Sequence, residues 1–168
     1  MKKSVIVLGL LAITALGCQR SASSSASALL STDNEIKALK FLTSEDNKNV
    51  TAWAKLGNAY MDAGKYNEAL DAFGHVIEIT PNNLDAAVDM GTCYRYAGMP
   101  EKAVQIYEKV LAADPDFGSA QKNLGIVLAY DLKKKSEAAD VFEKYLAKNP
   151  DDPDADAIRQ EILSLRKG

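Results

Sequence analysis

Residues 53–73 read WAKLGNAYMDAGKYNEALDAF, and residues 87–107 read AVDMGTCYRYAGMPEKAVQIY. The second segment follows the first at a shift of thirty-four residues, with identical spacing between seven marked positions. A third copy begins at Gln121 and carries one extra residue within DLKKKSEA, residues 131–138. The three sets are Trp53, Leu56, Gly57, Tyr60, Ala69, Phe73 and Pro81; Ala87, Met90, Gly91, Tyr94, Ala103, Tyr107 and Pro115; and Gln121, Leu124, Gly125, Leu128, Ala138, Phe142 and Pro150. A fixed period of this length predicts a stack of repeated units.

Each unit has the pattern of two packed helices. Trp53, Leu56 and Tyr60 recur at helical spacing and share one face. Gly57 and Ala69 lack bulk, so the two helices can approach closely, and the aromatic residue at position 73 fills the space beside them. Glycines end the first helices, because they tolerate left-handed backbone, and prolines end the second helices. The glycines are Gly64 and Gly98, Pro100 suits the first turn of its helix, and the helix-ending prolines are Pro81, Pro115 and Pro150.

The marked residues resemble the tetratricopeptide repeat (TPR), a helix–turn–helix unit with the pattern W-x2-L-G-x2-Y…A-x3-F…P. The resemblance implies an all-α fold, an α-α superhelical solenoid with repeats at about 50–83, 84–117 and 118–152. The composition agrees, since β-branched residues do not cluster into short alternating runs. With 168 residues, the chain is long enough for one domain, which we place at 32–168.

Incomplete units flank the three repeats. Residues 33–44, DNEIKALKFLTS, resemble a second helix without its partner, and we expect Ile36, Leu39 and either Leu42 or Phe41 to pack on the Trp53 helix. Residues 153–167 are predicted to form a capping helix. Its apolar stripe is Ile158, Ile162 and Leu165, and its other face is charged, as the end of a repeat array requires.

The resemblance also implies a binding groove, because first helices of such repeats line a concave face. It assigns groove positions to the second, fifth, ninth and twelfth places of each repeat. These are Thr51, Ala54, Asn58 and Met61; Asp85, Val88, Thr92 and Arg95; and Ser119, Lys122, Ile126 and Ala129. Asn58, Arg95 and Lys122 are candidates to hold a peptide backbone or carboxylate, with Met61, Val88 and Ile126 giving apolar contact. The carboxylate clamp of chaperone-binding relatives is broken, because Ala54 and Asp89 replace a lysine and an asparagine.

The amino terminus indicates export. Lys2 and Lys3 precede an apolar stretch, residues 5–16, which as a helix would span about 18 Å, less than the roughly 30 Å of a bilayer core. Residues 15–18, ALGC, resemble a bacterial lipobox. We therefore predict a signal peptide at 1–17, lipidation of Cys18, and a flexible Ser/Ala tether at 18–31. A plain secretory signal and an uncleaved anchor are the alternatives. In lipoproteins of enteric type, aspartate after the cysteine signals retention in the inner membrane, so the resemblance with Gln19 at that place implies the outer membrane, facing the periplasm.

Composition and motifs narrow the function. The net charge of −3 argues against nucleic-acid binding. Neither a nucleophile–base pair, a phosphate-binding glycine loop nor a metal-ligand cluster is present in the sequence, so we expect no enzyme activity, cofactor or metal. Cys93 is expected to be a buried free thiol. Lys133–Lys135 are predicted to lie in a lengthened charged turn, with contact to acidic lipid or an acidic partner as the alternative.

These features predict a membrane-tethered scaffold or adaptor of the bacterial cell envelope. Its partner would be a protein or an extended peptide, in settings such as pilus and secretin assembly or recruitment of cell-wall enzymes. The alternative is a structural envelope lipoprotein that associates with itself and does not use a peptide-binding groove. The sequence does not specify the oligomeric state.

Overall fold

The structure, a computed structural model, describes the backbone of residues 16–167 and the side chains of residues 31–167. This part of the chain consists of helices joined by short turns, without a strand. The helices are α1 (Leu16–Glu45), α2 (Val50–Asp62), α3 (Tyr66–Ile79), α4 (Leu84–Tyr96), α5 (Pro100–Ala113), α6 (Gly118–Ile126), α7 (Lys135–Lys148) and α8 (Ala155–Lys167). The residues between α6 and α7 begin with a π-helical turn, Val127–Asp131. The predicted all-α fold is confirmed.

Helices pair as the repeat pattern predicts: α2 with α3, α4 with α5, and α6 with α7. Each pair packs on the next, and α1 and α8 close the two ends. Buried side chains from neighbouring pairs form the interior. The largest continuous cluster runs from Val88 and Tyr107 through Leu124 and Phe142 to Leu165. The core is therefore shared between repeats, as a solenoid requires.

Within each pair, a glycine on the first helix lies against an aromatic ring on the second. A Cβ atom at Gly57 would come within 2.7 Å of the Phe73 ring. The same positions in the next two repeats hold Gly91 against Tyr107 and Gly125 against Phe142, where a Cβ atom would also be closer than 3.0 Å to the ring. Real side-chain carbons do not approach so closely, so only glycine permits this helix separation.

The helix ends follow local chemistry. Gly64 and Gly98 have φ angles of 69° and 78°, the left-handed conformation that ends α2 and α4. Pro100 occupies the first turn of α5, where its missing N–H costs no helical hydrogen bond. Asn49 and Asn83 cap α2 and α4 by accepting hydrogen bonds from Ala52 N (2.9 Å) and Ala86 N (3.0 Å).

The extra residue of the third repeat lies inside its first helix. The π-helical turn closes with a bond from Leu132 N to Val127 O at 3.0 Å, five residues back. Such a turn accommodates one additional residue in a helix. The lengthened loop predicted at Lys133–Lys135 is therefore wrong, because three residues connect the helices in each repeat: 63–65, 97–99 and 132–134. Lys133, with φ of 59°, occupies the place that glycine holds in the first two repeats.

The sequence predicted the buried side chains of α8 better than those of α1, the two helices at the ends of the repeat array. In α8, Ile158 and Leu165 are buried and Ile162 is half-buried against the core, which agrees with the predicted cap. In α1, Ile36 and Leu39 are buried as expected, but the third buried residue is Thr43. Phe41 and Leu42 are 62% and 47% exposed, because none of the described helices covers their side of α1.

The structure gives a helical backbone to residues 18–31, where the sequence predicted a flexible tether. Alanine and serine can both continue a helix whose carboxyl-terminal half is held by packing. Residues 1–15, most of the predicted signal peptide, lie outside the described residues. The side chain of Cys18 also lies outside them, so its lipidation stays a prediction. Within the described part, none of the helices is both long and apolar enough to cross a membrane.

Replacing Gly91 by alanine tests the glycine–aromatic contact. The new methyl group would collide with the ring of Tyr107, which is fully buried, so G91A should lower the free energy of unfolding by about 1–3 kcal/mol. G74A is the matched control, because a Cβ atom there meets nothing within 4 Å. In mid-helix this alanine should stabilise by about 0.5–1 kcal/mol. Denaturant unfolding measures both, and equal effects would contradict the close-contact account.

Lys133 offers a second test. A side chain in the left-handed region costs about 1–2 kcal/mol, which glycine avoids. After subtracting the greater unfolded-state entropy of glycine, K133G should stabilise the protein by about 0.5–1 kcal/mol. K133A removes the same charge and keeps the strain, so it should give no such gain. A melting temperature that rises equally in both variants would attribute the effect to charge.

Candidate functional site: the groove face

The first helix of each repeat carries the groove positions. These helices are α2, α4 and α6, and α8 has the same register. Buried alanines mark the common register: Ala52, Ala86, Ala120 and Ala155. Ala155 continues the series, so α8 is a fourth first helix as well as a cap. Its second, fifth and ninth places are Asp154, Ala157 and Glu161. We call the surface formed by Asp85, Asp89, Arg95, Lys122, Ile126, Tyr130, Asp131, Asp154 and Glu161 the groove face.

The predicted groove residues are not equally accessible. Asn58, Asp85 and Ser119 are exposed, and Met61, Thr92, Arg95, Lys122 and Ile126 are half-buried. Val88 is only 5% exposed and belongs to the core cluster around Tyr107, so it is not available for the apolar contact predicted. The Thr92 hydroxyl donates to Val88 O and is also hydrogen-bonded to the Tyr107 hydroxyl, both at 3.1 Å, so it points inward.

The π-helical turn changes which residues reach the groove. Counting by the thirty-four-residue period assigns Ala129 to the twelfth place, but Ala129 is 5% exposed and lies in the core. The extra residue moves this place to Tyr130, which is 50% exposed. Asp131 follows and also faces the neighbouring helix. Tyr130 and Asp131 were missed by the sequence reasoning, although the extra residue was the available signal.

Arg95 on α4 is bound to Asp131. Its Nε donates to Oδ2 at 2.6 Å, and both side chains are partly buried. The guanidinium also lies over the Tyr96 ring, 5.4 Å from its centroid, and Tyr96 stacks on Tyr66 at 5.3 Å. These contacts fix the arginine across the α4–α6 boundary. Arg95 was predicted to hold a ligand backbone or carboxylate. The ion pair with Asp131 restricts this role, because it already occupies the guanidinium.

Lys122 on α6 is held in a similar way. Its Nζ lies 3.2 Å from Asp154 and 3.5 Å from Asp152, and it lies over the Tyr145 ring. Burial alone would lower the pKa of Lys122, but the hydrogen bond to Asp154 and the nearby acidic groups raise it above its usual value. Tyr145 in turn donates to Asp152. Lys122 thus joins α6 to the start of α8.

A pocket of about 350 Å³ opens between α6 and α8. Its apolar lining includes Ile126, Phe142 and Ile158, with Tyr130 at the side. The hydrogen bond from Tyr130 to Glu161 raises the pKa of the phenol, so the tyrosine is neutral and donates to the carboxylate. The pocket can accept an apolar side chain beside a negative charge. Glu161 was predicted only as part of a capping helix.

Asp85 and Asp89 form the acidic end of the groove face, one helical turn apart on α4. Burial and the charge of Asp85 raise the pKa of Asp89. Among the described residues, neither carboxylate has an ion pair within 4.0 Å. This end of the groove face is therefore acidic.

Two further side chains with reactive or ligating groups lie away from this surface: Cys93 and His75, the one histidine of the sequence. Cys93 is fully buried as a free thiol, as expected, and burial together with the charge of Asp89 raises its pKa to about 12. His75 is exposed on α3, where it pairs with Glu78 and stacks on Trp53. In the described part of the chain, no group of three or more His, Cys, Asp or Glu side chains could hold a metal.

The fold and this surface define a helical-repeat protein with an open groove. The tetratricopeptide repeat family model matches residues 60–125 and 95–162, which together cover more than half of the chain. The chain therefore belongs to the tetratricopeptide repeat family.

Comparisons with individual proteins agree with this fold. The probable UDP-N-acetylglucosamine–peptide N-acetylglucosaminyltransferase SPINDLY of Hordeum vulgare is 30% identical over 104 residues, 60% of this chain and 11% of that protein. The solved structure of MamA is similar with a TM-score of 0.67 at 20% identity, covering 92% of each chain. The first TPR of Spaghetti (RPAP3), bound to the HSP90 peptide SRMEEVD, has a TM-score of 0.62 at 22% identity, covering 72% and 96%. The chain spans about a tenth of the plant relative it matches.

Asp89→Asn tests the electrostatics of the groove face. A raised pKa means that the folded state holds this proton more tightly than the unfolded chain, so the ionised carboxylate destabilises the fold at neutral pH. D89N should therefore raise the melting temperature at pH 7 by about 1–3 °C, and the gain should vanish below the ordinary aspartate pKa of 3.8. D71N makes the same charge change at an exposed position on α3. The account fails if both variants respond alike across pH.

Proposed function

We propose that the chain is a lipid-anchored TPR protein that acts as an interaction scaffold or adaptor in the bacterial cell envelope. Its groove face binds a protein or an extended peptide segment. The observation that carries the proposal is the α6–α8 pocket, which joins an apolar lining to charged groups on a continuous row of first helices. Such a mixture of apolar contact and few placed polar groups suits recognition of a peptide side chain.

A related fold supports this role. The Spaghetti TPR domain was solved with a peptide bound, and its resemblance to this chain concerns the fold alone. We extend peptide binding to this protein because its own groove face is open and carries unpaired charge. The carboxylate clamp is not extended, since Ala54 and Asp89 break it. Settings such as pilus and secretin assembly or recruitment of cell-wall enzymes fit this scaffold role.

The anchor is proposed from the amino terminus. Cleavage before Cys18 and acylation of its thiol would attach the domain to a bilayer, and stable attachment needs two or more acyl chains. We place the protein at the outer membrane, facing the periplasm, on the basis of Gln19. We assign it no catalytic step, cofactor or nucleic-acid ligand, since the sequence carries no motif for one and has a net charge of −3.

Site-specific crosslinking tests groove binding. Benzoylphenylalanine at Tyr130, in the full chain in its own bacterium, should form a discrete product with another protein after irradiation. The same residue at Leu163 is the control, because the two side chains are 50% and 52% exposed and Leu163 does not line the pocket. A product at both positions, or at neither, would contradict a role for the groove face.

Mass spectrometry of the mature protein tests the anchor separately. We expect an acylated amino-terminal cysteine at position 18, and C18S should move the protein from the membrane fraction to the periplasmic extract. An unmodified peptide spanning residues 17–19 would end the lipid proposal.

Self-association is the second candidate, and the exposure of Phe41 and Leu42 on α1 favours it. An apolar face without a covering helix is a site where copies can associate. Sedimentation velocity of the C18S chain would show a concentration-dependent increase in mass, which F41S/L42S would abolish. A monomer at all concentrations would remove this alternative.

A further inference from the structure

The groove face carries more carboxylates than cations. Its two cations, Arg95 and Lys122, each contact carboxylates of the protein itself, at 2.6 Å for Asp131 and at 3.2 Å for Asp154. A carboxylate ligand would have to compete with these bonds for the same donors. The first bond joins α4 to the π-helical turn after α6, and the second joins α6 to the residue before α8. Breaking them would therefore also loosen the groove.

Three carboxylates on the same face have no ion-pair partner within 4.0 Å among the described residues: Asp85, Asp89 and Glu161. Lys122 lines the same pocket as Glu161, but its ammonium group is paired with Asp154 and Asp152. Asp85 and Asp89 repel each other, and Asp89 is half-buried. Glu161 accepts from the Tyr130 hydroxyl, which is a neutral donor. A cationic ligand would satisfy these groups without displacing an internal bond. Charge complementarity therefore favours positive over negative ligands.

The geometry suggests how such a ligand would lie. Asp85 is on α4 and Glu161 on α8, with α6 between them. Neighbouring helices of such an array are about 8–10 Å apart, so two steps give about 16–20 Å sideways. Glu161 also lies seven places further along its helix than Asp85, which adds about 10 Å along the axis and makes the separation about 19–23 Å. An extended peptide covers this distance in about six or seven residues, at about 3.3 Å per residue. An apolar side chain between the two ends reaches the Ile126, Tyr130 and Ile158 pocket.

We infer that the groove face recognises a basic peptide segment, in which two Lys or Arg residues about six positions apart flank an apolar core. One cation lies against Asp85 and Asp89, and the other lies against Glu161 at the mouth of the pocket. This inference rests on the proposed function, because it specifies the ligand of the same face. It reverses the charge preference of the carboxylate clamp.

Fluorescence anisotropy with three labelled peptides tests the inference on the full chain purified in detergent. The peptides GKALFALKG, GQALFALQG and GEALFALEG share an apolar core and differ only in charge. The lysine peptide should bind at least tenfold more tightly than the glutamate peptide, with glutamine between them. Added salt should reduce this preference, since exposed charges are screened.

Matched variants locate the effect. D85N/E161Q removes two groove carboxylates, and E45Q/E108Q removes two exposed carboxylates on α1 and α5 with the same change in net charge. The lysine preference should fall to less than threefold in the first and persist in the second. Circular dichroism confirms that both are folded.

Each other result overturns the inference in a distinct way. Equal or tighter binding of the glutamate peptide refutes the charge preference, while the crosslink at position 130 still decides the proposed function. A lysine preference that survives D85N/E161Q, or is lost in E45Q/E108Q, refutes the assigned residues. Absence of binding by all three peptides refutes the basic-segment ligand, and a groove crosslink would then indicate a ligand of other chemistry.

Discussion

The contact between a glycine and an aromatic ring sets the geometry of every repeat. Gly57, Gly91 and Gly125 let the second helix approach until the ring of Phe73, Tyr107 or Phe142 lies on the backbone of the first. This closeness buries the rings almost completely and leaves the opposite side of the first helix free. The first helices pack on their partners through the side that carries the glycines. Their opposite side is therefore free to form the groove face.

The third repeat and α8 add residues to the groove face that a regular array of identical repeats would not place there. The π-helical turn brings Tyr130 and Asp131 to the groove, where Asp131 binds Arg95 across a repeat boundary. Asp154, directly before α8, binds Lys122, and Glu161 on α8 accepts from the Tyr130 hydroxyl. The internal ion pairs stiffen the face and occupy its cations, and the remaining unpaired groups are acidic.

The repeat period predicted the helix pairs, their turns and the α8 cap, because the glycine, proline and aromatic positions act locally or between paired helices. It failed where the backbone departs from a regular helix. Ala129 was assigned to the groove because a count of thirty-four cannot show whether an extra residue enters a loop or a helix. Val88 and Phe41 were misplaced because their burial depends on which helices cover them. The ion pairs of Arg95 and Lys122 join distant residues, which spacing alone does not reveal.

The π-helical turn has a consequence for how this surface can diverge. Removing one residue from 127–131 would return α6 to ordinary winding and rotate the following side chains by about a quarter turn or more, since each residue of a helix turns the chain by roughly 100°. Tyr130 and Asp131 would then contact different neighbours, although neither residue had been substituted. An insertion or deletion of a single codon can therefore alter ligand recognition here while the hydrophobic interior of the first two repeats keeps its composition.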